Sequence, residues 1–405
     1  MASAQSMAGV PRHFKTVMNR RHFVSTVTAA TTTACAIPAF GQSNTRKLRV
    51  AIIGHTGRGD YGHGLDTVWQ KLTNTGIVAV ADANPAGLEK AKARLGVNSG
   101  FGDYRAMLAE VKADIVAICP RHADQHCEMI VAAAEAGARG IYVEKPLCRT
   151  PAEADEIAAA CQKSGTKLAV AHRNRYHPVI SVIERLIAEG GIGNLLEIRG
   201  RGKGDHRGGV EDFWVLGSHV LNLVHYFAGD PVSCSANLLE NGVPVTKGDV
   251  REGAEGLGAF AGNELHARYQ FRKGTKMLTA YFDSIANDGT RNAGFGLQLI
   301  GSEGIIAIQC DGNPFAYICP GNPFDPKGIG QLETAWDRIA EVHDHSAAAA
   351  DLIAAILEDR PPLCDLAQGA ATVEMICAAF LSHSQEGKAV SFPLTERRNA
   401  LHSFE

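Results

Sequence analysis

The chain has 405 residues, which is too long for one ordinary hydrophobic core and about right for two domains with additional segments. Its composition, with 45% hydrophobic and 20% charged residues, is typical of a globular protein. A formal net charge of −3 without a basic block argues against a nucleic-acid surface, and no apolar run beyond the amino-terminal segment is long enough for a stable membrane anchor.

The first 42 residues have the layout of an export signal and linker. Acidic residues are absent before Asp60, and basic residues precede a mildly apolar, Thr-rich stretch over Phe23–Phe40. A small-x-small step at Ala39 and Gly41 would permit cleavage before Gln42. The pair Arg20-Arg21 resembles the twin-arginine type of signal, so we expect a periplasmic protein.

The alternative for this segment is a first helix of the fold in a cytoplasmic protein. The run "TAATTTA" is a poor helix interior, and Pro38 would interrupt it. The export signal is therefore the preferred interpretation.

A dinucleotide-binding turn is predicted next. The apolar run Leu48–Gly54 indicates a buried parallel strand, and a glycine-rich turn follows it. We expect a helix after this turn, with its amino terminus offered to a pyrophosphate, and then a second strand ending at Asp82. Thr56 stands where the middle glycine of G-x-G-x-x-G belongs, and "DYGHG" after Gly59 suggests a small insertion.

Strands and helices continue to alternate over residues 46–176, which predicts a doubly wound Rossmann sheet. The segment "TPAEADEIAAACQKSG" has Thr150 as a helix cap and Pro151 at the first helical position. Ligands bind at the carboxyl ends of such strands, where the polar residues of this region fall. The scattered cysteines lack the paired spacing of a metal site.

An ordered set of motifs identifies a family. The segments are "EKP" (Glu144–Pro146), "CPRHADQH" (Cys119–His126), "NRYHP" (Asn174–Pro178), "GSHVLNLVHYFAGDP" (Gly217–Pro231) and "LQLIGSEGIIAI" (Leu297–Ile308). Together they resemble the Gfo/Idh/MocA oxidoreductases. The resemblance implies an α+β domain over residues 177–405, with a large, mainly antiparallel open sheet for substrate binding and oligomer contacts. It implies a homodimer or homotetramer.

The expected cofactor is NAD, with NADP less favoured. Asp82 would accept hydrogen bonds from the adenosine ribose, and its charge would repel a 2′-phosphate. The candidate cofactor-binding residues are Gly54, Thr56, Gly57, Arg58, Gly59, Asp82, Cys119, Pro120, His122, His126, Glu144, Lys145 and Arg175.

Lys145 and His219 are the candidate catalytic residues. A partly desolvated lysine near a positive nicotinamide has a lowered pKa and can move the hydroxyl proton, with His219 as its partner. The family's D-x-G-x-H-x-x-D frame is altered, because Val215 and Asn222 replace the two acids. Leu216 also removes the Tyr-x-x-His arrangement of the related NAD-dependent glycosidases.

A second group of residues could face the substrate. The candidates are Asp205, His206, Asp212, Trp214 and Asn222, with Trp214 stacking on a sugar face. The histidines at 343 and 345 lack a clear third ligand, so no metal is predicted.

These features predict a nicotinamide-dependent oxidoreductase that acts on CH–OH groups of a sugar or polyol and is exported with a tightly held cofactor. Two alternatives remain: a redox-neutral, NAD-dependent glycoside-cleaving enzyme, and a non-catalytic sugar- or nucleotide-binding protein on the same fold.

Overall fold

The first half of the fold is a six-stranded parallel sheet with the order β3-β2-β1-β4-β5-β6. A computed structural model describes residues 46–287, 294–312, 314–320, 330–331 and 339–403, so the predicted export segment lies outside the described residues. The strands are β1 (Leu48–Ile53), β2 (Thr75–Ala81), β3 (Gly100–Phe101), β4 (Ile115–Ile118), β5 (Gly140–Val143) and β6 (Lys167–Val170). This order confirms the predicted Rossmann sheet, with its switch point between β1 and β4.

Four helices flank this sheet: α1 (Pro85–Leu95), α2 (Tyr104–Val111), α3 (His126–Glu135) and α4 (Pro151–Ser164). Helix α4 begins as predicted, because the Thr150 side chain accepts a hydrogen bond from the amide of Glu153. Its carboxyl end is capped by Gly165 in the left-handed conformation.

The helix predicted after the glycine-rich turn is wrong. Residues 54–67 form a series of turns, and the only helical piece between β1 and β2 is a short 3-10 helix, Val68–Lys71. Gly57 and Gly59 have φ values of 81° and 89°, and Asp60 has a φ of 53°. Right-handed helix requires negative φ, so this backbone cannot continue into one. No α-helix terminus follows β1 to bind a pyrophosphate.

The second half is built on a ten-stranded sheet. Its strands are β7 (Leu195–Arg201), β8 (Pro231–Glu240), β9 (Val243–Pro244), β12 (Glu264–Lys273), β13 (Lys276–Ile285), β14 (Gly296–Gly301), β15 (Gly304–Gln309), β16 (Ala316–Pro320), β17 (Gly330–Gln331) and β18 (Val390–Ser391). A separate pair consists of β10 (Arg251–Glu252) and β11 (Ala259–Phe260). Apart from the parallel pair β7–β13, the pairings in the large sheet are antiparallel, as predicted.

The remaining helices are α5 (Val179–Ala188), α6 (Val210–Val215), α7 (Gly217–Ala228), α8 (Ala340–His343), α9 (Ser346–Glu358) and α10 (Leu366–Ser384). Helices α7 and α10 pack against one another, and α10 lies on β8. The other face of the large sheet carries charged side chains such as Arg199, Arg268 and Asp283.

The carboxyl-terminal helices return to the Rossmann sheet. Helix α9 packs on β5 and β6, and Ala169 pairs with Asp365 at the start of α10. Gly369 of α10 lies so close to Val170 that a Cβ atom there would be 2.8 Å from its methyl group. This packing buries the ends of β5 and β6, and the candidate catalytic residue Lys145 follows β5.

Candidate active site

A cavity of about 480 Å³ opens at the carboxyl ends of β1 and β2, beside the switch point. Its lining comes from the β1 turn, the end of β2, the start of α2 and the segment that leads into α3. These residues are Gly54, His55, Arg58, Ala81, Asp82, Ala83, Gly102, Asp103, Tyr104, Arg105, Asp124, Gln125, Glu128 and Met129. Its volume suits one half of a dinucleotide, and its place is where open α/β sheets bind nucleotides.

The turn after β1 is tied across the sheet to the segment after β4. Arg58 forms an ion pair with Asp124, and Nδ1 of His55 lies 2.5 Å from Oε1 of Gln125. The Gln125 side chain also donates to the carbonyl of Arg58 at 3.1 Å. Gly57 and Gly59 therefore belong to a fixed turn that bridges the crevice between β1 and β4.

Asp82 organises the turn after β1 and also lines the cavity. It is 1% exposed. Its carboxylate accepts hydrogen bonds from the Thr56 hydroxyl at 2.6 Å, the Tyr61 hydroxyl at 2.8 Å, the Thr56 amide at 3.1 Å and the Asn84 amide at 2.9 Å. These donors fix the carboxylate at the end of β2, and its contact with a ribose stays a prediction. Burial opposes its ionisation, but the hydrogen bonds outweigh burial and lower its pKa.

Tyr61 supports the Asp82 carboxylate and the turn after β1. Its ring fills the space beside Gly54, where a Cβ atom would collide with it. The Arg94 guanidinium lies over the same ring, 4.5 Å from its centroid, and Arg94 is ion-paired with Asp66. Burial, followed by the bond to Asp82, raises the pKa of Tyr61. The sequence indicated an insertion here but not this tyrosine's role.

The segment after β4 contains four of the predicted cofactor residues, and three of them, Cys119, Pro120 and His126, are buried. Both ring nitrogens of His126 face backbone carbonyls, that of Pro146 at 2.8 Å and that of Pro120 at 2.7 Å. This fully buried ring ties two strand ends together, so its predicted cofactor contact is wrong. The Cys119 thiol is also buried, which raises its pKa, whereas half-buried His122 begins the 3-10 helix over Ala123–Gln125.

Lys145 lies at the end of β5 and is 7% exposed. Its Nζ donates to the carbonyl of Val215 at 2.7 Å. Val215 is the last residue of α6, so the amine binds a helix-terminal carbonyl that has no partner within its own helix. Burial lowers the Lys145 pKa, and the neighbouring Glu144 acts in the opposite direction. Oε2 of Glu144 accepts from the Lys145 amide at 2.5 Å.

His219 lies in the first turn of α7 and contacts His172, which follows β6. The two Nδ1 atoms are 3.5 Å apart, and the rings meet edge to face with an interplanar angle of 87°. His172 is 1% exposed and His219 is 8% exposed. Burial, and then the Lys145 charge, lowers the pKa of His172 to about 3. Burial also lowers the pKa of His219, so both imidazoles are neutral at neutral pH.

Other nitrogen bases surround this group. Buried His345 lies with Nδ1 2.7 Å from the Tyr142 hydroxyl, and burial lowers its pKa to about 3. Arg173 is paired with Asp311 at 2.9 Å. Within the described ranges, no group of three His, Cys, Asp or Glu residues could hold a metal ion. Because burial lowers the pKa of His172, His219 and His345, the site is rich in neutral imidazoles.

The residues predicted to face the substrate do not come together. Asp205 is paired with Arg207 at 2.7 Å, and the His206 side chain is 82% exposed. The predicted roles of Asp212 and Trp214 are wrong, because both are fully buried. Asp212 accepts from the Ser284 hydroxyl at 2.5 Å, while the Trp214 ring packs 6.1 Å from that of Phe380.

A further prediction is corrected by packing. Asn222 is fully buried and donates to the Thr372 hydroxyl at 3.3 Å, so it joins α7 to α10 and does not face a sugar. The Arg175 guanidinium lies over the ring of Tyr226 in α7, 3.4 Å from its centroid. That contact joins the segment after β6 to α7, and the cofactor contact of Arg175 stays a prediction.

A carboxylate that the sequence did not reveal lies near Lys145. Glu255 has a left-handed backbone with φ 56° and ψ 27°, beside the 3-10 helix that contains Asp124. Its charge raises the pKa of both Lys145 and His122, which opposes the effect of burial on each. No motif marked this residue, because its position depends on the turn between β10 and β11.

Comparison with known proteins agrees with this architecture. The profile described as "Oxidoreductase family, NAD-binding Rossmann fold" matches residues 48–172, and that of its C-terminal alpha/beta domain matches residues 185–392. The chain belongs to the Gfo/Idh/MocA oxidoreductase family. The predicted NAD-binding oxidoreductase is thus confirmed.

Named relatives in this family are sugar dehydrogenases. A levoglucosan dehydrogenase of Pseudarthrobacter phenanthrenivorans is 26% identical over 321 residues, which are 67% of this chain and 80% of that protein. A D-apiose dehydrogenase of Paraburkholderia graminis is 30% identical over 181 residues, which are 42% of this chain and 47% of that protein. A levoglucosan dehydrogenase solved with NADH and levoglucosan superposes with a TM-score of 0.68 at 22% identity, covering 86% of this chain and all of that one.

Proposed function

We propose that this protein oxidises a secondary alcohol of a sugar or cyclic polyol, with Lys145 as the base. The observation that carries this proposal is the buried Lys145 amine, held at 2.7 Å by the Val215 carbonyl. One N–H bond is used in that contact, which leaves the lone pair of the neutral amine for the substrate. The carbohydrate class is supported by the names of the relatives.

The residues fit a nicotinamide cofactor in two places. The cavity beside Asp82 would take the adenosine half, and the ends of β4 and β5 would face the nicotinamide half. Bound NAD⁺ supplies the hydride acceptor. Lys145 would take the hydroxyl proton, and His219 would hydrogen-bond the same oxygen. The anionic Asp82 near the cavity would disfavour a 2′-phosphate, so NAD is preferred to NADP.

The test is the appearance of reduced nicotinamide absorbance when purified protein and NAD⁺ meet a panel of sugars and polyols. We expect turnover with at least one member, and none with the Lys145→Met variant. Nucleotide binding without any turnover would favour the non-catalytic alternative. Cleavage of a glycoside without net NADH would favour the redox-neutral alternative.

A homodimer or homotetramer is part of the proposal. The charged face of the large sheet includes Arg199, Arg268 and the His266–Asp283 pair, whose nitrogen and oxygen lie 2.5 Å apart. Such a face can pair with a copy of itself through opposite charges. Light scattering of the wild type and of Arg268→Glu should give a larger mass for the wild type. A monomeric wild type would contradict this part.

Export of the folded protein with its nucleotide is also proposed. The twin-arginine pattern at Arg20-Arg21 supports it, as do eight buried cysteines among the described residues. Folding in a reducing compartment would protect these thiols before transport. A chain with Lys-Lys in place of Arg20-Arg21 should remain in the cytoplasm with its leader uncut. Periplasmic delivery of that variant, or native protein in the cytoplasm with residues 1–41 attached, would contradict export.

A further inference from the structure

The His172–His219 pair contains a nitrogen that the mechanism above does not use. Nε2 of His172 is buried and has no hydrogen-bond partner among the described residues. The other ring nitrogen of His172 faces Nδ1 of His219 at 3.5 Å. An unpartnered buried nitrogen limits which tautomer the ring adopts.

Two neutral imidazoles that face each other through Nδ1 atoms share one proton between those atoms. If Nδ1 of His219 carried the shared proton, His172 would carry its own proton on Nε2, and this buried N–H donor would have no acceptor. If His172 carries it, Nε2 of His172 is a bare acceptor, and His219 has its proton on Nε2. A buried donor without a partner is the rarer and costlier condition, so the second arrangement is favoured.

We propose that His172 is the positioning residue of His219: it donates its Nδ1–H to Nδ1 of His219 and fixes the tautomer in which His219 carries a proton on Nε2. This inference rests on the proposed function. In the oxidation, Nζ of Lys145 would take the hydroxyl proton, and bound NAD⁺ would supply the acceptor for the hydride of the substrate carbon. His219 keeps its Nε2 proton throughout and donates a hydrogen bond to the substrate oxygen.

The loss of two acids from the family's catalytic motif explains why His172 is needed to orient His219. Position 215 supplies a backbone carbonyl to Lys145, and Asn222 turns toward Thr372. Neither position contributes a carboxylate that could orient the imidazole of His219. His172 reaches the same ring from the end of β6, the strand next to β5, and so couples the Rossmann sheet to the amino terminus of α7.

Two variants separate donation from space filling. In His172→Asn, the side-chain amide can replace the Nδ1–H donor, whereas His172→Leu fills the space without a donor. We expect His172→Leu to lower kcat about a hundredfold with KM changed less than about threefold, and His172→Asn to stay within about fivefold of wild type. His402→Asn, at an exposed histidine near the carboxyl terminus, is the matched control and should leave turnover unchanged.

Nitrogen-15 NMR of histidine-labelled protein reads the tautomer without any substrate. We expect Nδ1 of His219 to be unprotonated in the wild type and in His172→Asn, and the two tautomers to mix in His172→Leu. A protonated Nδ1 on His219 in the wild type would overturn the proposal. Equal kcat losses in the Asn and Leu variants, or normal turnover in His172→Leu, would also overturn it. If no sugar is oxidised, the proposed function fails, while the NMR result still decides the tautomer.

Discussion

Asp82 and Lys145 occupy equivalent places at the carboxyl ends of β2 and β5, and they receive opposite treatment. Both are almost fully buried, with exposed fractions of 1% and 7%. Asp82 is surrounded by donors from Thr56, Tyr61 and Asn84, and its pKa is lowered, so it stays charged. The amine of Lys145 donates a hydrogen bond to the Val215 carbonyl, and burial lowers its pKa, which favours the neutral amine.

The difference shows how burial produces either an anchor or a base. Removing an ion from water favours its neutral form unless hydrogen bonds and charges replace the lost hydration. Four close donor contacts supply that replacement at Asp82. At Lys145 burial lowers the pKa, and the negative charges of Glu144 and Glu255 only partly offset this effect. The positive charges of Arg207 and Arg173 lower the pKa further. In the proposed function, the surroundings of Asp82 are therefore a fixed scaffold for the cofactor, and Lys145 is the group that moves a proton.

The largest expected effect comes from removing the base. Lys145→Met should reduce turnover by at least about a thousandfold, within the range for a positioned acid or base, while NAD binding stays measurable. Steady-state kinetics and calorimetric titration check the two halves of this prediction. Lys167→Met, at a lysine paired with exposed Asp359, is the control and should behave as wild type. Near-normal turnover of the Lys145→Met enzyme would contradict the role of Lys145 as the base.

His219→Ala should cost about a hundredfold in kcat, since the substrate oxygen loses its hydrogen-bond donor. The loss should be smaller than that at Lys145, because the base remains. The same kinetic assay compares the two variants directly. An effect confined to KM would show that His219 only binds substrate.

Asp82→Ser tests the anchor. The variant loses the carboxylate that holds Thr56 and Tyr61 beside the cavity, so NAD should bind about tenfold more weakly, which corresponds to roughly 1.4 kcal/mol. Loss of the negative charge that disfavours a 2′-phosphate should narrow the preference for NAD over NADP. Fluorescence titrations with both nucleotides provide the comparison. Tighter NADP than NAD binding in the unmutated protein would contradict the role given to this carboxylate.

The smallest mutational effect is expected for Tyr61→Phe. This change removes one donor to Asp82 and keeps the ring beside Gly54. The free energy of unfolding should fall by about 1 kcal/mol, the usual net value of one hydrogen bond. Urea denaturation measures it. Tyr104→Phe is a suitable control, since no hydrogen bond to Asp82 is lost there.

Several parts of this contrast were predictable from the sequence. The β1 strand, the acid after β2 and the lysine of "EKP" each follow from a local pattern and a family resemblance. The missing first helix was not predictable in this way, because it depends on backbone angles such as the φ of 53° at Asp60. Tyr61 and His172 were missed because their roles arise only when distant strand ends meet. Trp214 and Asn222 were misassigned because helix periodicity alone did not show which partners would bury them.

The pH dependence of stability tests whether the buried imidazoles of His172 and His345 are neutral. His172 and His345 have pKa values of about 3 in the folded chain, against an ordinary 6.5. Below pH 6.5 the unfolded chain takes up these protons and the folded chain does not, so stability should fall with pH until about 3. Each histidine contributes at most about 1.4 kcal/mol per pH unit. Urea midpoints at pH 7.5 and 5 should show this decline, and His172→Asn should reduce it. An unchanged pH dependence in that variant would count against the buried neutral imidazole.

The central claim is that burial lowers the pKa of the Lys145 amine, while hydrogen bonds keep the carboxylate of Asp82 charged. The most direct measurement is a carbon-13 NMR titration of protein labelled at lysine Cε, with Lys145→Met to assign the signal. The account predicts one lysine signal, absent from the variant, whose pKa lies below the ordinary 10.5. A Lys145 signal that titrates together with the exposed lysines would contradict it.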